Sequence, residues 1–359
     1  MDRSSLTTLA TSLGGIFDLS KSRLLTMAVL VTGIVSARTV NLTHIACLFP
    51  GAALIASNYR RLQRFFEQCD VSMIACARQL MAFMVPGNQS VTLAMDRTNW
   101  KFGSKDINIL VLAIVTRRFR VPLVWLFLSH QGNSDTTQRI DLIETFITHF
   151  GVSRIGLLLA DREFIGAKWL TFLIKHRIPF VVRARENLKL TTSDGETTQL
   201  KSIWHRRPAK RPTSGWLSDM EQCDDNRVNI AMKRMKSGET LYILSNMDKP
   251  HKALELYRKR WAIECMFGDT KTRGFNLEDT HITDPKKLNT LMVVITLATA
   301  WVCRSATKCK GTSTIPKKTH GRREKSWFRV GFDILRRWIL HDTDKALSVW
   351  TKYTSTIKI

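Results

Sequence analysis

Several absences narrow what this chain can be. Its seven cysteines, Cys47, Cys69, Cys76, Cys223, Cys265, Cys303 and Cys309, include no C-x-x-C pair, so no zinc ribbon or redox motif is visible. An odd number of unpaired thiols fits a reducing cytoplasm. The opening Met1-Asp2-Arg3-Ser4-Ser5 leads into scattered polar residues and lacks a signal-peptide layout. The most apolar window, Leu291 to Cys303, is shorter than a bilayer crossing requires and reads as a buried helix. Internal repeats and low-complexity tracts are missing as well. These features predict a soluble cytoplasmic protein with no membrane partner.

Acidic residues are scarce. Only 30 Asp and Glu stand against 55 Lys and Arg, a formal net charge of +25. Proteins this basic usually bind polyanions, because each cation placed near a phosphate releases condensed counterions. Ribosomal and membrane-surface proteins share that trait, so charge indicates a partner and not an activity. At 359 residues and 44% hydrophobic content, the chain can bury a large domain with appendages, or two to three units.

Residues 1–85 read as helical. Leu24, Leu25, Met27, Ala28, Leu30, Val31 and Ile34 form an apolar face, Asn41-Leu42-Thr43 starts a short helix, and a third helix begins at Ala53. That third helix carries Arg60, Arg61 and Arg64, the outline of a helix-turn-helix DNA reader; many three-helix bundles share the outline. After Pro86-Gly87-Asn88 the period becomes strand-like. Val91 to Met95 reads as a short strand ending on Asp96, followed by apolar runs at Ile107–Val115 and Val121–Leu128. A helix over Thr136–Phe150, a strand Ile155–Ala160 ending on Asp161, a helix Gly166–His176 and a strand Pro179–Arg183 complete the first part of the core. Three antiparallel strands, then helix, strand, helix, strand is the order of a ribonuclease-H-like α/β fold with a mixed sheet.

Residues 184–247 read as a β-rich basic insertion, with Trp204 and Trp216 among crowded cations. Aromatics interleaved with cations suit base stacking and backbone contacts; a basic surface with two structural tryptophans has the same composition. Residues 248–306 return to the core, the last part being an apolar helix from Pro285. Residues 307–359 form a basic C-terminal helical segment, whose helix at Phe328–Leu340, with Trp338, is expected to make a protein contact.

The stretch Leu254 to Lys271 reads as one helix. At about 100° per residue, Tyr257, Arg260, Glu264 and Lys271 fall within a sector of roughly 60°. One carboxylate thus shares a stripe with two cations and a phenol. Arg260 and Glu264 are also spaced as an ordinary i, i+4 ion pair. Asp96, Asp161 and Glu264 together offer oxygen ligands of the kind magnesium prefers, and two ions there could activate water and stabilise a departing 3′ oxygen. Taken singly, an aspartate after a strand is often an N-cap.

The spacing Tyr257-x-x-Arg260-x-x-x-Glu264-x-x-x-x-x-x-Lys271 resembles the Y-R-E-K signature of the insertion sequence 4 family of DDE transposases. Asp96 in Met95-Asp96-Arg97-Thr98-Asn99-Trp100 and Asp161 in Ala160-Asp161-Arg162-Glu163-Phe164 resemble that family's first two acid motifs. The resemblance spans roughly residues 90 to 345 and includes a β-type insertion between the second and third acids. It implies a cut-and-paste transposase of the bacterial cytoplasm and nucleoid. Such an enzyme acts as a homodimer on double-stranded DNA, joining paired terminal inverted repeats to target DNA through a hairpin. It further implies that Asp96, Asp161 and Glu264 hold two Mg2+ ions, with Mn2+ able to substitute, and that Tyr257, Arg260 and Lys271 contact phosphates. Hairpin-forming relatives stack a flipped base on a tryptophan of the insertion. Here that place holds Leu241-Tyr242, leaving Tyr242, Trp204 and Trp216 as candidates. The alternative reading is a non-catalytic DNA-binding regulator derived from a transposase.

Overall fold

The computed structural model describes residues 1–85, 87–116, 118–206, 213–247, 249–319 and 321–351, with 204–206 and 351 described by backbone alone. Five helices come first: α1 (Arg3–Gly14), α2 (Lys21–Ala37), α3 (Leu42–Ala46), α4 (Ile55–Gln68) and α5 (Met73–Met84). Asp2 caps α1 by accepting from the Ser5 N–H at 2.8 Å, and Ser72 caps α5 through the Ala75 N–H at 3.1 Å. The apolar run of α2 is buried on most of its circumference, not on one face alone. It packs against α1, α3 and α4, and also against two helices from the far end of the chain.

A sheet follows, beginning with β1 (Val91–Phe102), β2 (Lys105–Val115) and β3 (Arg120–Phe127). Gly103 turns the first hairpin at φ +58°, a left-handed conformation that two-residue hairpin loops demand and glycine adopts without strain. The chain continues through α6 (Thr136–Phe150), β4 (Ile155–Ala160), α7 (Ala167–Lys175) and β5 (Phe180–Ala184). A capping box between Asp135 and Gln138 starts α6. The first five strands lie in the order β3-β2-β1-β4-β5, with β1, β4 and β5 parallel and the β1–β2–β3 meander antiparallel. This is a ribonuclease-H-like core.

The next segment adds β6 (Lys189–Thr192), β7 (Thr197–Gln199), α8 (Leu200–Arg206), β8 (Thr213–Leu217), β9 (Val228–Arg234) and β10 (Thr240–Ser245). Its strands do not build a separate sheet. β10 pairs antiparallel with β5, and the ladder runs on through β9, β8 and β6 to β7, giving ten hydrogen-bonded strands among the described residues.

After β10 come α9 (Pro250–Tyr257), a 3₁₀ turn at Arg258–Arg260 and α10 (Trp261–Thr270). The chain ends with α11 (Pro285–Lys310), α12 (Trp327–His341) and α13 (Thr343–Thr351). Asp284 caps α11 through the Lys287 N–H at 3.0 Å, with Pro285 in the first turn. At 26 residues α11 is longer than its apolar sequence window, and 89% of its most apolar stretch is buried inside the fold. Gly331 lets α12 lie directly on α11: a Cβ there would stand 2.0 Å from the Val302 carbonyl oxygen. Trp338 on α12 is buried at 8% exposure, because α12 is covered by α11, α13 and α2. The indole N–H of Trp350 donates to Ser12 Oγ at 2.8 Å, tying α13 back to α1.

Candidate active site

Two neighbouring strands bring the first two acids together. β1 and β4 run parallel and pair as far as Met95 with Ala160, and the next residues are Asp96 and Asp161. Adjacent strands lie about 4.8 Å apart, so the acids emerge side by side where the parallel ladder stops. At Asp161 the chain leaves the sheet in a turn, its carbonyl accepting from the Phe164 N–H at 2.9 Å. Asp96 differs from expectation. The strand does not end there but continues to Phe102, paired across to β2, with Asp96 opposite Val111. Only its β4 neighbour stops, and that frees one side of Asp96.

The helix expected over Leu254–Lys271 is interrupted. The 3₁₀ turn at Arg258–Arg260 tightens its middle. The two α-helical pieces lie against different parts of the sheet, α9 on β5, β9 and β10, α10 on β1, β2 and β3, while the turn itself touches β4. Tyr257 and Arg260 are thereby carried over the acids. The Tyr257 hydroxyl donates to Asp161 Oδ1 at 2.9 Å. Arg260 reaches Asp96 Oδ2 through Nη1 at 3.4 Å and donates to Glu264 Oε1 through Nη2. Its guanidinium also lies 5.5 Å from the Tyr257 ring centroid.

Charge in this cluster is crowded. Burial raises the Asp96 carboxyl to about 6, with Glu163 and Asp161 adding to the rise; the Arg97 N–H bond and Arg260 pull the other way. Burial also raises the Tyr257 phenol, which therefore stays protonated as a donor. At Arg260 burial works against the charge, but Tyr257, Asp161, Glu264 and Asp96 outweigh it and hold the guanidinium above its ordinary range. Arg97, next to Asp96, bonds Asn108 Oδ1 at 3.1 Å and pairs with Glu163 at 3.5 Å. Arg260 Nε is buried here without a hydrogen-bond partner, as are Arg97 Nε and Glu163 Oε1, which face each other only as the 3.5 Å ion pair. Native interiors rarely leave such groups unmet, and a site open to ligand or water is a common reason.

The three acids supply carboxylate oxygens, the donors that divalent magnesium or manganese favours. Among the described residues no three His, Cys, Asp or Glu side chains stand close enough to share one ion as they are, and Arg260 lies between two of the acids. The donor chemistry fits a divalent cation, whose charge would offset the Glu163 and Asp161 carboxylates that add to the burial-driven rise at Asp96.

The remaining candidates fall elsewhere. Lys271 sits past the end of α10; its Nζ donates to the Asn99 carbonyl at 3.1 Å, pairs with Glu278 at 2.8 Å and lies 5.8 Å from the Trp100 ring centroid. It braces the continuation of β1 beyond Asp96. Tyr242 is buried at 4% exposure between β5 and β9. Trp216 is buried at 8%, its N–H donating to the Cys223 carbonyl at 2.6 Å and its ring under Arg227. Both rings are enclosed by the protein in this arrangement. The Trp204 side chain and residues 207–212 lie outside the described residues. On α4, Arg60 and Arg64 are exposed, whereas Arg61 is tied down to α2.

One residue escaped the sequence reading. Trp261, the first residue of α10, is 63% exposed, although it adjoins the buried Arg260. The signal available was its place: an indole directly after three cations, Arg258-Lys259-Arg260.

A family model described as Transposase DDE domain matches residues 85–301, more than half of the chain. That span contains all three acids, the insertion and the α9–α10 segment. No curated protein matches the sequence.

Proposed function

This chain belongs to the transposase DDE domain family, and from that footing we propose that it is an active cut-and-paste DNA transposase of the insertion sequence 4 type. The observation that carries the reading is that one helical segment gathers all three acids, Tyr257 on Asp161 and Arg260 on Asp96 and Glu264. An exposed i, i+4 ion pair would need none of this; Arg260 is only 8% exposed and reaches across 164 residues of chain to Asp96.

In this reading Asp96, Asp161 and Glu264 hold divalent cations, Mg2+ with Mn2+ able to replace it. When bound, these ions supply Lewis acidity to the attacking and departing oxygens of an in-line displacement at phosphorus. The protein's own contribution is placement. Tyr257 fixes the Asp161 carboxylate. Arg260, once released from the acids, is positioned to take a phosphate oxygen near the cleaved bond. Lys271 steadies the backbone that presents Asp96. Trp261, exposed and next in the chain to Arg260, is the residue we assign the stacking role, where an aromatic face accepts a base drawn out of the duplex during hairpin formation. The net charge of +25 suits binding of terminal inverted repeats and target DNA by a homodimer in the cytoplasm. Residues 1–85 are assigned to DNA recognition.

The test is a labelled duplex carrying the gene's own flanking repeat, incubated with Mg2+ or Mn2+ and resolved on a denaturing gel. Wild-type protein is expected to cut at the repeat's edge and to yield a slow-migrating hairpin. Asp96→Asn, Asp161→Asn and Glu264→Gln are each expected to bind the duplex without cutting it. Cleavage that survives any of these changes overturns the three-acid reading. Binding with no cleavage by wild type points to the regulator.

A further inference from the structure

The N-terminal helices hold a second concentration of positive charge, away from the acids. Between the start of α2 and the last two turns of α4 lies an open cleft of about 240 Å3, lined by Arg23, Arg61, Arg64 and the Ser20, Ser22 and Thr26 hydroxyls among others. None of the described lining residues is acidic. Arg61 is locked in place: its Nε donates to Thr26 Oγ1 at 3.0 Å, and its Nη2 to Ser22 Oγ at 3.2 Å and the Ser22 carbonyl at 3.3 Å. Its guanidinium also packs 5.5 Å from the Phe49 ring centroid. Arg23 leans on Gln68 at 3.4 Å, and Arg64 is exposed at the rim. Three guanidiniums thus converge with no carboxylate lining the cleft. Burial and repulsion from Arg64 both work against the Arg61 charge. The 17-residue α2 begins beside them without a side-chain cap and without an acid in its first turn, so its partial positive end adds to the same field.

We infer that this cleft is a subsite for a backbone phosphate of bound DNA, contacted by Arg23, Arg61 and Arg64 irrespective of base sequence. Phosphate chemistry follows from fork-shaped donors and hydroxyls around an uncompensated positive field. Duplex DNA as the source follows from the overall charge and from the transposase reading, on which this inference rests. It also gives α4 a backbone-gripping face, where the helix-turn-helix outline suggested base reading.

The experiment measures binding of the full chain to two labelled duplexes by fluorescence anisotropy across a salt series. One duplex carries the gene's flanking repeat and the other a scrambled sequence of equal length. An Arg23→Ala/Arg64→Ala variant is expected to weaken both to the same degree, about tenfold at moderate salt, with the slope of log K against log salt falling by about one or two. Arg60→Ala, an exposed cation on the same helix but outside the cleft, is the comparison. A loss confined to the repeat duplex, a loss no larger than that of Arg60→Ala, or an unchanged slope overturns the subsite. Should the double variant melt early, Arg64→Gln at the rim carries the same slope test. Cleavage plays no part in this readout. Failure of the cleft therefore shows as an unchanged slope beside normal cleavage, and failure of the three-acid reading as absent cleavage beside a changed slope. Absence of binding to either duplex by the wild type overturns both.

Discussion

The Tyr257 hydroxyl donates to Asp161 Oδ1 at 2.9 Å, joining residues 96 positions apart across the edge of the sheet. The bond lies in a half-buried place where the phenol stays protonated, so it fixes which way the carboxylate faces. Tyr257→Phe keeps the ring and removes the donor. The expected outcome is a retained fold, a loss of about 1 kcal/mol in stability and roughly tenfold slower single-turnover cleavage. Thermal denaturation and rate measurements on the repeat duplex check both parts.

The two exposed-or-buried tryptophans near the insertion and the acids should separate by assay. Trp261→Ala removes a ring that is 63% exposed, so stability is expected to move by less than about 0.5 kcal/mol while hairpin yield falls. Trp216→Ala removes a buried ring and orphans the Cys223 carbonyl it satisfies. That change is expected to cost about 3 kcal/mol or more. Urea unfolding and hairpin yield, read together on both variants, show whether the assignments are reversed.

Asp269 gives a pH prediction away from the acid cluster. It is 5% exposed on α10, and burial raises its carboxyl to about 6 against the partial relief of Arg120 and Arg273. The folded form therefore holds the proton more tightly than the unfolded chain, whose aspartates titrate near about 3.9. Stability contributed by the protonated form is present below about pH 4 and is lost as pH rises through about 6, on the order of 2–3 kcal/mol. Asp96 contributes with the same sign, so Asp269→Asn should flatten this slope in part. Urea unfolding at several pH values between about 4 and 7 checks it; an unchanged slope removes Asp269 as a contributor.

Gly331 should not accept a side chain. A Cβ would meet the Val302 carbonyl oxygen at 2.0 Å and Ala306 Cβ at 3.0 Å, and both belong to α11, which cannot yield locally. Gly331→Ala is expected to destabilise by about 1–3 kcal/mol through overpacking, despite the better helix propensity of alanine. A lower urea midpoint with an unchanged slope would show it.

Much of this was legible in the residues because it depends on local periodicity. The Thr136–Phe150 helix and the Ile155–Ala160 strand stand where apolar spacing put them. What the sequence hid was decided by neighbours. β1 reads as stopping at Asp96 because the residues beyond it turn polar, yet β2 keeps pairing with them after β4 has ended. The Leu254–Lys271 stripe reads as a straight helix because a 3₁₀ turn leaves no mark in composition. No local pattern tells which of Trp216 and Trp261 is enclosed, and only packing buries one and leaves the other in solvent. Arg61 shows the same limit: its three bonds to α2 come from residues some 35 to 39 positions earlier, beyond any local pattern.

The continuity of the ten strands has a metrical consequence. From β4, beside the acids, to β7 at the far end there are six strand spacings, roughly 29 Å at about 4.8 Å each. Along B-form DNA that corresponds to the rise of about eight or nine base pairs. Because hydrogen-bonded ladders of described strands span the interval, the outer edge of the sheet stands at a fixed distance from the acids.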